Sequence, residues 1–199
     1  MRSPSDTAIA FAGSDLVARG SLAEVALAAK KLVDARDPRS LLIYDAVTSH
    51  PVEIDFRGSD ADVLARLPKP LVEAAEGADG EPRRGPGRPK LGVVAREITL
   101  LPRHWEWLAS QPGGASVTLR KLVENARREG AGADRQREAR DAVYRFASAL
   151  AGDAPGYENA MRALYANDRD AFTKLTREWP AGVREHAREL AKSAFGEAE

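Results

Sequence analysis

The sequence contains no cysteine among its 199 residues, so disulfide bonds and thiolate metal sites are excluded. It also contains no apolar run that approaches the roughly 20 residues of a membrane-spanning helix. Its beginning, MRSPSDTAIAFAG, has one arginine and too short an apolar stretch for a secretory signal. These absences, together with a hydrophobic fraction of 43% and a charged fraction of 30%, predict a soluble cytoplasmic protein.

The signatures of common catalytic and metal sites are missing as well. The three histidines, His50, His104 and His186, lie far apart and show no H-x-x-x-H spacing. The sequence has no G-x-S-x-G nucleophile turn, no Walker-type phosphate loop and no dinucleotide-binding glycine pattern. We therefore expect no catalytic residues, no metal, no other cofactor and no small-molecule substrate.

One group of carboxylates leaves an alternative open. Glu53, Asp55, Asp60 and Asp62 lie close together in sequence, and Glu53 and Asp55 would share one face of a strand. This pair could hold a metal or act as an acid and a base, which would make the protein an enzyme. The simpler interpretation is a solvent-facing strand followed by the start of a helix, where acids are favoured.

What the chain does have is a very uneven distribution of charge. Its 30 basic and 30 acidic residues cancel overall, yet residues 83–128 carry ten bases against three acids. Both flanking regions are net acidic. A cationic block of this kind indicates a polyanionic partner, with a solvated linker and helix face as the simpler alternative. The ten bases are Arg83, Arg84, Arg88, Lys90, Arg96, Arg103, Arg120, Lys121, Arg127 and Arg128.

Residues 1–70 are predicted to form a small α+β domain. TAIAFAG and LVARG are predicted strands on either side of a turn at 13–15, the pattern of a β-hairpin. Ser21 and Glu24 have the spacing of a capping box. Apolar residues at helical spacing behind this box predict an amphipathic helix over about 22–35.

The same domain continues with a second pair of predicted strands. These are SLLIYDA and VEIDF, which are separated by a turn. Ser59 is placed to cap a short helix that extends through Leu67. The resulting order, ββαββα, favours a mostly antiparallel sheet.

Residues 71–92 are rich in proline, glycine and charge, a composition that predicts a linker because it cannot bury enough apolar surface to fold alone. Within it, the G-R-P triplet with basic flanks resembles an AT-hook. The narrow, negative minor groove of A-tracts attracts an inserted arginine, and glycine permits close approach of the backbone. The resemblance implies contacts with A·T-rich DNA from Arg83, Arg84, Gly87, Arg88, Pro89 and Lys90.

Residues 93–130 resemble a ribbon-helix-helix DNA-binding segment. VVAREITL has the length of the ribbon strand, Pro102 is placed to open the first helix, and 111–114 ends it. GASVT then matches the turn through which this family enters its second helix. Ser116 is placed to accept hydrogen bonds from backbone N–H groups at the start of that helix.

In ribbon-helix-helix proteins two chains pair their strands into a ribbon that enters the major groove, and the start of the second helix binds a phosphate. The resemblance therefore implies a homodimer in which Arg96 and Thr99 belong to the ribbon and Ser116 anchors a phosphate. Arg120 and Lys121 lie outside on the second helix. Because strand faces alternate, Arg96 and Thr99 lie on opposite faces, and which face meets DNA stays open.

Residues 131–199 are predicted to be helical. Apolar stripes predict helices over about 134–151, from Tyr157, from an Asp168 cap and from Pro180. The glycines before this region are expected to separate it from the second helix of the ribbon-helix-helix segment. The aromatic residues are interpreted as core, with a ligand pocket as the alternative; they are Tyr144, Tyr157, Tyr165 and Trp179.

Nearly the whole chain is also similar to a bacterial family described only as a domain of unknown function (number 2239). The block REITLLPRHWEWLASQPGGASVTLRKLV, preceded by GRPKLGVVA, carries this resemblance. It implies a bacterial origin and no particular activity.

The predicted fold class is thus α+β: a small ββαββα domain, a basic linker, a ribbon-helix-helix-like segment and a C-terminal helical bundle. The predicted function is that of a homodimeric protein of the nucleoid that binds double-stranded DNA, favouring A·T-rich sequences, as a transcriptional regulator or a nucleoid-associated factor. Two alternatives remain. One is a protein–protein adaptor or antitoxin-like dimerisation module, and the other is an enzyme that uses Glu53 and Asp55.

Overall fold

The structure is a computed structural model that describes residues 7–68 and 96–196. Two compact units make up the chain. The larger unit comprises Met1–Ala75 with Gly132–Glu199, and the smaller comprises Glu76–Ala131. The described residues form three strands and seven helices, in this order: β1 (Thr7–Ala12), β2 (Asp15–Ser21), α1 (Leu22–Asp34), β3 (Leu41–Asp45), α2 (Asp60–Arg66), α3 (Pro102–Ser110), α4 (Gly114–Ala151), α5 (Tyr157–Tyr165), α6 (Arg169–Leu175) and α7 (Ala181–Ala194).

The first two strands form the predicted hairpin. β1 and β2 pair antiparallel across a two-residue loop, Gly13 and Ser14. Gly13 has a φ of 60°, and a glycine with positive φ at the first loop position suits a two-residue hairpin turn. The pairing register shifts between Ala10 and Phe11. The hairpin prediction is therefore confirmed, with one irregularity inside the ladder.

Both faces of the sheet are covered. β1 is the central strand of an antiparallel sheet with the order β2–β1–β3. Ala8 and Ala10 point to one face and cluster with Val25 of α1. Ile9 and Phe11 point to the other face and belong to a second, larger cluster. Burial on both sides explains why TAIAFA is almost entirely apolar.

The second cluster joins the sheet to the C-terminal helices. Phe11 contacts Phe146 of α4 with ring centroids 5.4 Å apart, and Trp179 is buried in the same cluster. Residues 1–70 and 131–199, which sequence patterns assign to separate regions, therefore share one core. The physical reason is that the apolar face of β1 opposite α1 needs its own covering layer.

The second predicted strand pair does not form as expected. Tyr44 and Pro51 make an isolated antiparallel bridge, and the Val52 N–H group donates to the carbonyl of Ile43 at 2.8 Å. The rest of VEIDF forms no ladder in the described part of the chain. The Asp55 carboxylate instead accepts from the backbone N–H of Arg57 at 3.1 Å, a local turn that competes with sheet pairing.

The predicted caps of the first two helices are confirmed. Ser21 and Glu24 satisfy each other's backbone N–H groups at the start of α1. Ser59 and Asp62 do the same at the start of α2. Each box provides acceptors for N–H groups that have no partner inside the helix.

The predicted break at Gly130 and Gly132 is wrong. α4 runs without interruption over 38 residues from Gly114 to Ala151. Each interior glycine costs a helix about 1 kcal/mol relative to alanine, but the flanking sequence is rich in Ala, Arg and Glu and contains no proline. Good helix formers on both sides therefore outweigh the two glycines.

The last three helices follow the sequence prediction. α5 begins at Tyr157, and α7 follows directly after Pro180. Asp168 caps α6 by accepting from the Ala171 N–H group at 2.9 Å. Trp179 is buried, and its indole N–H group donates to the carbonyl of Pro155 at 3.2 Å. Its interpretation as core is confirmed, whereas that of Tyr144 and Tyr165 is wrong, because they are 47% and 54% exposed.

Candidate nucleic-acid interface

The predicted DNA-binding residues divide into two groups. The AT-hook-like residues, Arg83, Arg84, Gly87, Arg88, Pro89 and Lys90, lie outside the described residues, as do the linker that contains them and the first part of the predicted ribbon. Arg96, Thr99, Ser116, Arg120 and Lys121 are described, and the side chains of all five are exposed. The described part of the candidate interface therefore consists of these five residues, α3 and the first half of α4.

Two helices and the turn between them follow directly from the local sequence. α3 begins at Pro102, as predicted, and ends at a C-cap on Gln111. Gly113 and Gly114 then have φ values of 90° and 71°, a backbone conformation that favours glycine. A Cβ atom on Gly113 would lie 3.1 Å from the Val117 side chain. The turn therefore depends on glycine both for its backbone angle and for space.

The second helix starts slightly earlier than predicted. α4 begins at Gly114, so Ser116 lies inside the first turn and not ahead of it. The carbonyl of Ser116 accepts from the Nε of Arg120 at 3.1 Å. No acidic residue occupies the first turn of α4, and the backbone N–H groups of a first turn have no acceptor within the helix. The Gly114 N–H group already donates to the carbonyl of Gln111 at 2.9 Å, and the other first-turn N–H groups make this helix start electropositive.

The four cations in the first half of α4 recur at a spacing of seven residues. Arg120 and Arg127 form one such pair, and Lys121 and Arg128 form the other, so each pair lies on the same side of the helix. Members of a pair are roughly 10 Å apart along the axis. All four are exposed. They form a basic row two turns long.

Few acids neutralise this row. Arg127 pairs with Glu124 at 3.2 Å. Arg128 donates to the Asn125 side chain at 2.9 Å, so its positive charge is retained. Within the part of the chain that the structure describes, Lys121 forms no ion pair. The row therefore keeps a net positive charge in the folded protein.

The same segment exposes large apolar side chains. Between positions 96 and 128, Leu108 is buried and every other described side chain is partly or fully exposed. Helical spacing predicts an apolar inner stripe on each helix, and apart from Leu108 these stripes are not buried in this chain. The predicted stripe residues are Trp105, Leu108 and Ala109 on α3 and Leu119, Leu122, Val123 and Ala126 on α4. Exposed apolar side chains in such numbers mark interaction surfaces. The most exposed are Ile98 at 49%, Leu101 at 48%, Trp105 at 40%, Trp107 at 51%, Leu122 at 45% and Val123 at 57%.

The described part of the predicted ribbon strand forms no ladder with any described strand. Residues 96–101 pair with no described strand, and Arg96 and Thr99 are exposed. A ribbon of the predicted kind needs the strand of a second copy, so pairing within one chain is not what the resemblance implies. Sequence spacing correctly placed the start of α3. The second helix, however, extends well beyond its predicted end, and the apolar residues of the segment are mostly exposed.

One carboxylate of the alternative enzyme hypothesis, Asp55, pairs with the protein's own arginines. Asp55 contacts Arg57 at 2.7 Å and Arg66 at 3.5 Å. Hydrogen bonds from Arg57 hold the pKa of the Asp55 carboxyl well below its usual range. Asp62 belongs to the capping box of Ser59. Among the described residues, no three His, Asp or Glu side chains are placed to hold a metal ion.

The fold and this segment together define a mixed α+β protein that carries an exposed basic row on α4. No helix within residues 7–68 and 96–196 has the length and apolar character required to cross a membrane. The chain belongs to the family described as "Uncharacterized protein conserved in bacteria (DUF2239)", whose model matches residues 7–191. Comparison with curated proteins and with solved structures finds no match.

Proposed function

We propose that this protein is a homodimeric DNA-binding protein of bacteria that acts as a transcriptional regulator or a nucleoid-associated factor. The observation that carries the proposal is the exposed basic row on α4, which lies behind a helix start without acidic residues. Cations that keep their charge in the folded state are free to replace the counterions of DNA phosphates. Ser116 and its neighbouring N–H groups would bind one phosphate at the helix start.

The proposal includes a preference for A·T-rich duplexes. This part rests on the sequence, because Arg88 lies outside the described residues. An arginine in a G-R-P triplet with basic flanks suits the narrow minor groove of A-tracts. The α4 row would supply contacts that do not depend on sequence, while Arg88 would supply the preference.

The proposal also includes a second copy of the chain. Trp105, Trp107 and Leu122 remain exposed in one chain, and burying them requires a surface that this segment does not provide for itself. Pairing of residues 96–101 with the same residues of a second copy would give each ribbon strand its partner. Exposure of these side chains supports dimerisation through the smaller unit.

The test is fluorescence anisotropy with labelled A·T-rich and G·C-rich duplexes of equal length across a salt series. We expect binding to both duplexes, tighter binding to the A·T-rich one, and a steep loss of affinity as salt rises. Light scattering on the same protein should give the mass of a dimer. Failure to bind either duplex in dilute buffer would overturn the proposal.

A second candidate function is a protein–protein adaptor or antitoxin-like dimerisation module. The two exposed tryptophans, Trp105 and Trp107, favour it because aromatic residues are enriched in protein interfaces. This candidate is favoured over DNA binding if light scattering shows a dimer and the protein leaves the anisotropy of every labelled duplex unchanged.

A further inference from the structure

Three arginines in the larger unit gather at the junction of the last two helices, outside the central basic block. Arg184 and Arg188 lie four residues apart on α7 and so project from the same side of that helix. Arg177 lies between α6 and α7. Arg177 is exposed, and the other two are partly exposed.

Two of these arginines are fixed by hydrogen bonds to the segment that follows α6. Arg184 donates from Nη1 to the carbonyl of Arg177 at 3.0 Å. Arg188 donates from Nε to the hydroxyl of Thr176 at 3.0 Å and from Nη2 to the carbonyl of Thr173. Thr176 is fully buried, so the Arg188 side chain is anchored in the fold and cannot swing freely in solvent.

None of the three forms an ion pair with an acid among the described residues. Other arginines of the larger unit do pair, for example Arg39 with Asp37 at 2.6 Å. The pKa of the Arg188 guanidinium is lowered from its ordinary value by partial burial and by the positive charges of Arg184 and Arg177. Glu178, Glu185 and Glu189 are the sequence neighbours of these arginines, but none of these acids forms an ion pair with them among the described residues. The like charges of the arginines repel each other, and a bound anion would relieve that repulsion.

Capping of a helix end explains part of this arrangement. Carbonyl groups at the end of α6 attract cationic donors, and this accounts for the bonds made by Arg184 and Arg188. It does not account for Arg177, whose guanidinium makes no hydrogen bond to a described residue. A guanidinium carries five N–H donors, so each of the three retains donors that face no protein acceptor.

We infer that Arg177, Arg184 and Arg188 form a second phosphate-contacting surface, which takes the backbone phosphates of duplex DNA. Planar guanidinium groups match the oxygens of a phosphate in two-point contacts. Two anchored arginines are ready to bind without losing much side-chain freedom. The inference rests on the proposed DNA-binding function and adds a contact surface outside the basic block.

The test compares two double variants of the full chain by anisotropy on one duplex across a salt series. Arg177→Gln with Arg184→Gln removes two charges from the cluster and leaves the anchored Arg188 in place. The control, Arg137→Gln with Arg162→Gln, removes two exposed charges that contact Asp134 and Asn159 at 2.8 Å. Both variants change the net charge equally, and thermal melting checks that both remain folded.

We expect the cluster variant to bind about tenfold more weakly at low salt and to lower the slope of log affinity against log salt by roughly 1 to 2. The control should keep the wild-type slope. If the cluster variant still binds DNA and its affinity depends on salt as steeply as that of wild type, this inference is wrong. The proposed function would be unaffected by that result. If the wild-type protein does not bind DNA, the inference and the proposed function are both wrong.

A free phosphate ion offers the same chemistry as a DNA phosphate, so titration with inorganic phosphate forms a second arm. In one outcome, wild type binds inorganic phosphate and the cluster variant does not, yet both bind DNA equally well. The cluster formed by Arg177, Arg184 and Arg188 would then bind small phosphorylated ligands. That result would also overturn the inference.

Discussion

The imidazole of His186 packs edge-on against the ring of Phe146, with ring centroids 4.6 Å apart. The histidine is only 3% exposed, and neither ring nitrogen has a hydrogen-bond partner among the described residues. Burial, followed by the positive charge of Arg19, lowers the pKa of His186 from 6.5 to about 4, while Glu189 opposes the shift. The core therefore holds this histidine in its neutral form.

The first prediction is a loss of stability in mild acid. The folded state binds a proton on His186 more weakly than the unfolded chain does. The contribution of neutral His186 to the free energy of unfolding is therefore fully present above pH 6.5 and declines as the pH falls toward 4. The loss amounts to roughly 3 kcal/mol, at about 1.4 kcal/mol for each pH unit between the two pKa values. Urea unfolding at a series of pH values measures it.

The matched variants for this prediction are His186→Leu and His50→Gln. The leucine removes the buried titrating group, so its stability should fall less between pH 6.5 and 4 than that of wild type. His50 is exposed, and its variant should keep the wild-type profile. If the stability of His186→Leu falls with pH as steeply as that of wild type, protonation of His186 is not the cause of the loss.

The second prediction concerns two glycines that respond in opposite directions to alanine. A Cβ atom on Gly182 of α7 would lie 2.9 Å from the Leu16 Cβ and 3.4 Å from the Phe11 ring. Gly182→Ala should therefore destabilise the protein by about 1 to 3 kcal/mol. Gly132 lies in α4 with no atom within 4 Å of such a Cβ, so Gly132→Ala should stabilise by up to about 1 kcal/mol.

Chemical denaturation of both alanine variants measures the two changes under identical conditions. A stabilising Gly182→Ala would show that α7 and β2 are not held as closely as the structure places them. A destabilising Gly132→Ala would show that α4 needs flexibility at that position.

The third prediction is that a charge on the exposed apolar surface dissociates the proposed dimer. Trp107 is 51% exposed in the single chain, and burying a glutamate against apolar side chains of a second copy is unfavourable. Trp107→Glu should therefore shift the mass measured by light scattering from dimer to monomer. Val47→Glu, at a position 44% exposed in the larger unit, should leave it unchanged. If the Trp107→Glu variant is still a dimer, the dimer interface does not include Trp107.

The fourth prediction separates two kinds of DNA contact. Arg88→Ala should weaken binding mainly on A·T-rich duplex, because minor-groove insertion depends on groove width. The double variant of Arg120→Ala and Lys121→Ala should weaken binding on all duplexes and lower the salt slope by roughly 1 for each residue. Anisotropy on both duplexes measures these effects. If Arg88→Ala lowers the affinity for the two duplexes equally, Arg88 does not make the proposed minor-groove contact.

The parts of the fold that could be predicted are those decided by neighbours in sequence. The Ser21–Glu24 box, the Asp168 cap and the turn at Gly113 each depend on a few adjacent residues, and local chemistry selects them. Their positions could therefore be inferred before any tertiary contact was known.

The parts that could not be predicted depend on competition between distant or alternative partners. VEIDF alternates like a strand, but Asp55 finds its donors in Arg57 and Arg66. Gly130 and Gly132 would end a weaker helix. The contact of Phe11 with Phe146 joins segments far apart in sequence, and no spacing pattern reveals which two apolar faces meet.

The charges of the candidate site and the start of α3 could be predicted, but the length of α4 and the exposure of its apolar residues could not. Pro102 and Gly113 define the helices from sequence alone. Helical spacing of Trp105 and Leu122 indicates an apolar face, but it does not distinguish a face buried within one chain from a face kept for a partner. The arginine cluster gave no sequence signal, because Arg177 and Arg188 come together only through the packing of α6 on α7.

The central strand takes its two covering layers from opposite ends of the polypeptide. α1 is synthesised soon after β1, but the layer that contacts Phe11 includes Phe146 and Val183. A ribosome must therefore release most of the chain before this strand is shielded on both sides, and the nascent N-terminal part is exposed to association with other chains until then. Fragments that stop short of Ala181 should accumulate in inclusion bodies when expressed alone, even though they contain every strand that the structure describes.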